Sequence, residues 1–89
     1  MIKKTTKIIN KLGLHARPSA LLVSTAAKFT SEVHFTKNGL RVNGKSIMGV
    51  MMLAAEQGAE IIVEADGADE ESAVDALIGV IATGFSEID

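Results

Sequence analysis

The chain has 89 residues, 47% of them hydrophobic and 22% charged, the balance of a soluble globular domain. That length suits one domain and not two, and the composition excludes disorder over most of it. Cysteine is absent, which excludes a disulfide framework and any thiolate site. The net charge of −2 hides a segregation: residues 1–45 hold all nine basic residues and a single acid, Glu32, for +8, whereas residues 46–89 hold ten acids and no base, for −10.

In chain order, residues 2–9 are rich in Thr and Ile and read as a strand with weak alternation. Residues 10–14 read as a loop with Gly13 as its flexible point. Over residues 16–29, Ala16, Ala20, Val23 and Ala27 recur at helical spacing, with Leu22, Ala26 and Phe29 alongside, an amphipathic helix. Val33 and Phe35 alternate with His34 and Thr36, and Leu40 and Val42 alternate likewise. With Asn38-Gly39 between them, these runs predict a β-hairpin. Ser46 precedes an apolar run over residues 47–55 and is placed as a helix N-cap, and Gly58 is a candidate left-handed stop. Ile61, Val63 and Ala65 alternate with Ile62 and Glu64 as a further strand. Asp69 is the expected cap of a last helix, with Glu70 and Glu71 in its dipole-favoured first turn. Ala73, Ala76, Leu77, Val80 and Ile81 form its buried stripe, and Gly84 its stop. The order βαββαβα predicts an α+β fold, one domain over residues 1–89, with three helices on one face of a four-stranded antiparallel sheet.

Whole classes of partner drop out. The longest charge-free stretch, residues 76–86, is eleven residues, against roughly 20 for a membrane span. The start MIKKTTKIIN has no apolar core after its lysines, so it does not read as a signal peptide, and a cytoplasmic home is expected. All three aromatics are phenylalanines with no interleaved basic cluster, so no nucleic-acid partner is expected. The charge segregation has two readings: the basic half meets an acidic surface or a phosphate, or the two halves attract each other within one fold.

One junction carries chemistry. In Gly13-Leu14-His15-Ala16-Arg17-Pro18 a histidine stands where a helix begins. A first helical turn leaves backbone N–H groups without acceptors and carries partial positive charge, so it binds phosphate readily. Pro18 costs no helical hydrogen bond there, although it disfavours helical backbone at Arg17. The Arg17 guanidinium can grip two phosphate oxygens. These parts suit a histidine that holds a phosphoryl group, with a neutral, nucleophilic ring near pH 7. No Walker loop and no metal or cofactor site is evident, so a partner supplies the phosphoryl group. The alternative reading is a surface histidine at a routine helix start.

The string GLHARPSALLV, followed by NGLRVNGKSIMGVMMLAAEQGAEI and GADEESAVDAL, resembles the HPr phosphocarriers of the bacterial phosphoenolpyruvate-dependent phosphotransferase system over essentially the whole chain. The resemblance implies an open-faced β-sandwich. It implies that His15 accepts phosphate on Nδ1 from enzyme I and donates it to enzyme IIA-type domains, with Arg17 and the Ala16 and Arg17 amides steadying it. It makes Ser46, otherwise a plain N-cap, a regulatory site for a dedicated HPr kinase/phosphorylase. It also makes Ile47, Met48 and Met51 a partner-docking patch, Met48 and Met51 being expected to be partly exposed. INKLG and Gly84-Phe85 look more like the nitrogen-related branch, KSIMGVMML like the sugar branch, and Leu12 stands where many members carry Ser or Asn. A nitrogen-branch regulatory carrier and a non-transferring interaction module are the competing readings. A monomer is the simplest expectation. His34 reads as a surface residue without an acidic neighbour, and Glu56, Glu60, Glu64 and Asp66 mostly as solvated faces.

Overall fold

The computed structural model describes residues 1–87. Its elements are β1 (Ile2–Lys7), α1 (Ala16–Ala26), β2 (Glu32–Lys37), β3 (Leu40–Asn43), α2 (Ile47–Met52), β4 (Glu60–Asp66), α3 (Glu70–Ala82) and a closing 3-10 turn, Gly84–Ser86. The strands form one antiparallel sheet in the order β1-β4-β2-β3. Alternation along each strand assigns its two faces. Ile61, Val63 and Ala65 of β4 are fully buried, as are Val33 and Phe35 of β2. They face Leu22 and Ala26 of α1, Val50 of α2 and Ala73, Val74, Leu77 and Ile81 of α3. Three helices on one face of an antiparallel sheet is the expected architecture. The β2–β3 hairpin turns at Asn38-Gly39, both at positive φ (50° and 84°), as a tight primed turn requires.

Several boundaries differ from the periodicity. β1 stops at Lys7, although Ile8 still exchanges backbone bonds with Ala59 O and Gly58 N. α1 ends at Ala26, and its buried face is Pro18, Ser19, Leu22, Thr25 and Ala26. Ala16, Ala20 and Ala27 are exposed. The stripe is rotated because Ser19 and Thr25 bury their hydroxyls on the carbonyls of Leu14 (3.1 Å) and Leu21 (2.8 Å). α2 is only six residues long. Leu53 and Ala54 donate to carbonyls three residues back, and Ala54 turns to φ 48°. Leu53 and Ala55 must both enter the core at 3% and 4% exposure, and a continuing helix cannot place both there. Gly58, at φ 90°, serves the next turn, donating its N–H to Ile8 O.

Asp69 stands at the start of α3 without capping it. Its carboxylate instead accepts the backbone N–H groups of Thr30 and Ser31 (2.9 Å each) and the Ser31 hydroxyl, pinning the α1–β2 loop to α3. Those donors lower its pKa to about 2, the Ser31 hydroxyl contributing most. Glu64 is a second correction. It faces away from the helices, yet its side chain is only 5% exposed because Arg41 lies across it at 2.6 Å. That hydrogen bond holds the Glu64 carboxyl below its ordinary value despite burial. His34 pairs with Glu64 across the sheet, and its Nδ1 is 3.2 Å from an Arg41 nitrogen. His34 therefore does have an acidic neighbour, contributed by a different strand.

Candidate functional site

The loop before α1 is tightly built. Gly13 sits at φ 67°, where a Cβ would come within 2.2 Å of Ala55 O. Only glycine takes this backbone without strain and this approach without a clash. Leu14 is buried and donates its N–H to the same Ala55 carbonyl (2.9 Å), tying the loop to the segment after α2. Asn10, 3% exposed, braces the turn by donating from Nδ2 to Gly13 O at 2.8 Å.

His15 then occupies the N-cap position of α1 with extended backbone (φ −75°, ψ −173°). Its carbonyl takes the Ser19 N–H at 3.0 Å, so its backbone closes the first helical bond while its side chain makes no cap. The ring is 36% exposed, reachable but supported. Ala16 is the first helical residue, so Arg17 is helical despite preceding proline. The amides of Ala16 and Arg17 belong to the first turn and have no carbonyl four residues back within the helix. Pro18 is buried and has no N–H to satisfy. The Arg17 side chain is 72% exposed.

A residue that sequence reasoning missed completes the cluster. Glu87 Oε2 lies 2.7 Å from His15 Nε2 and 3.8 Å from an Arg17 guanidinium nitrogen. Its other oxygen accepts from Asn10 Nδ2 at 2.8 Å. The Asn10 amide is the largest influence holding the Glu87 carboxyl below its ordinary value, against partial desolvation, with the bond to His15 and the charge of Arg17 acting in the same direction. Glu87 stands 72 positions after His15, and no spacing rule links them. The one local signal is Gly84-Phe85: a glycine stop followed by a large apolar anchor that the structure buries to 2% exposure.

Ser46 caps α2 as expected, its hydroxyl accepting the Gly49 N–H at 3.1 Å. Ile47, Met48 and Met51 are exposed, Met48 the most at 77%. Met52, at 66%, extends the same apolar surface. Among the described residues no group of three or more His, Asp or Glu could hold a metal ion. A shallow depression lined by Glu32, Val33, His34, Asn43 and Lys45 uses β2, β3 and the turn after them, and takes no residue from the histidine loop. No helix is long and apolar enough to cross a membrane among the described residues.

Residues 2–83 match the family model described as PTS HPr component phosphorylation site. The chain is 54% identical over 87 residues to the phosphocarrier protein HPr of Cupriavidus necator, covering 98% of each chain. Among solved structures it is similar to HPr-C-His from Thermoanaerobacter tengcongensis, with 47% identity, complete coverage of both chains and a TM-score of 0.96. An HPr dimer from the same organism matches at 48% identity and TM-score 0.79, covering 98% of this chain and 100% of that one.

Proposed function

The chain belongs to the HPr family of phosphotransferase-system phosphocarriers, and from that premise we propose that His15 carries the phosphoryl group, taking it from enzyme I and passing it to enzyme IIA-type domains. The lone pair of Nδ1 attacks phosphorus in the donor's phosphohistidine. The donor N–P bond breaks, and its electron pair returns to the donor's imidazole. Onward transfer repeats the step with the His15 ring as leaving group. Phosphoryl transfer of this kind needs positioning and charge stabilisation more than covalent chemistry. The Ala16 and Arg17 amides and the exposed Arg17 guanidinium supply both. No small molecule is turned over by the chain alone, and no cofactor takes part.

Ile47, Met48 and Met51, with Met52, form the docking patch in this reading, methionines suiting several partners in turn. Ser46 is the regulatory site for an HPr kinase/phosphorylase. A phosphate there sits at a helix start it need not disrupt, and adds roughly −1.5 to −2 charges beside the patch. The working form is a cytoplasmic monomer, and competition between sugar-type and nitrogen-type enzyme I assigns its branch.

The observation that carries this reading is a part-exposed imidazole at the N-cap of α1 with an exposed guanidinium two residues on. Phosphoenolpyruvate plus enzyme I should label the chain with an acid-labile, base-stable phosphate that His15→Ala abolishes. An unlabelled wild type, or a labelled His15→Ala, overturns the proposal and leaves a module that docks through Met48 and Met51 without passing phosphate.

A further inference from the structure

We propose that Glu87 is the positioning residue of this site: by accepting the Nε2–H of His15 it fixes the ring tautomer that leaves Nδ1 unprotonated. The proposal rests on His15 being the phosphoryl acceptor and names what prepares its nucleophilic nitrogen. An ionised carboxylate only accepts hydrogen bonds, so the 2.7 Å contact between Oε2 and Nε2 places a proton on Nε2. A neutral imidazole has one N–H, and its other nitrogen then holds the free lone pair.

The carboxylate is itself held. Asn10 Nδ2 donates to Glu87 Oε1 and to Gly13 O, both at 2.8 Å. Both partners are acceptors, so only the NH₂ end of the amide can face them. Asn10 Oδ1 is thereby left buried without a partner. A flipped amide would relieve nothing, because it would set oxygen against two oxygens.

The backbone also departs from common conformations to bring Glu87 in. Gly84, Phe85 and Ser86 are three successive left-handed residues, at φ 66°, 60° and 57°. Two of them are not glycine, and a run of this kind persists only when its surroundings enforce it. Phe85 is buried as the anchor, and Glu87 N–H closes the turn on Gly84 O at 3.1 Å. The product of this turn is one carboxylate, 9% exposed, on the imidazole. Loading Nδ1 leaves the Nε2 contact intact. The ring, substituted on both nitrogens, then carries delocalised positive charge facing Glu87.

A staple that only tethered the end of the chain would not care about the tautomer, which supplies the test. In ¹⁵N-resolved spectra of the neutral His15 ring, wild type should show the Nε2–H form dominant. Glu87→Ala should give a mixture of tautomers and accept the phosphoryl group about twofold more slowly, because an even mixture leaves only half of the rings with Nδ1 unprotonated. Glu87→Gln, which offers Nε2 either an acceptor or a donor, should also give a mixture. Backbone amide spectra of each variant check that the fold is kept. An unchanged tautomer in both variants, or a changed tautomer with an unchanged rate, overturns the proposal. A wild type that takes no phosphate defeats the carrier reading instead, and the tautomer spectra register that separately.

Discussion

Gly13 shows how narrowly the site is built. A methyl group there would meet Ala55 O at 2.2 Å from a backbone at φ 67°. Gly13→Ala should therefore destabilise the fold by about 1–3 kcal/mol and slow phosphoryl acceptance by displacing His15, measurable by denaturant unfolding and by transfer kinetics. An unchanged rate would show that the loop has slack. At this scale the placement of His15 and Arg17 at a helix start was legible, because a helix start announces itself through neighbouring residues. Glu87 was not legible, because a left-handed turn far along the chain delivers it. His34 failed for the same reason: its acidic neighbour, Glu64, comes from the next strand in space rather than in sequence.

Helix beginnings were read better than helix endings. Ser46 signals the start of α2 locally and its hydroxyl does accept the Gly49 N–H. The end, at Met52, is set by the need to bury Leu53 and Ala55 and to offer Ala55 O to Leu14, demands that arise only in three dimensions. Asp69 looked like a cap from its position and instead holds another loop. Ser46→Ala should cost about 1 kcal/mol through the lost cap and leave transfer nearly unchanged. Ser46→Asp should keep the fold and slow acceptance at His15 by placing negative charge beside Met48 and Met51. Equal transfer rates for Ser46→Asp and wild type would contradict the electrostatic account.

For the whole molecule, part of the charge segregation resolves inward. Met1 pairs with Asp66 and Glu70, Lys4 with Asp75, Lys37 with Glu56, Arg41 with Glu64, and His15 and Arg17 with Glu87. Each of these pairs joins the basic part of the chain to the acidic part. The helix and strand count was legible from periodicity, whereas the order β1-β4-β2-β3 depends on which strands meet at long range. The carboxyls of Glu64, Asp69, Glu70 and Glu87 are all held below their ordinary values. A group lowered by folding stabilises above its unfolded pKa and loses that contribution as pH falls through its folded one. Stability should therefore be full near neutrality and decline in acid, with the Asp69 share lost between about 3.8 and about 2. Thermal unfolding across that range should show a shallower acid slope for Asp69→Asn, and an identical slope would contradict the assignment. The carrier account itself is met most directly by phosphorus–nitrogen coupling in the ¹⁵N-labelled chain after loading by enzyme I and phosphoenolpyruvate. Phosphorus coupled to Nδ1 of His15, with Nε2 still protonated, is the predicted result; phosphorus on Nε2, on another residue or nowhere would contradict it.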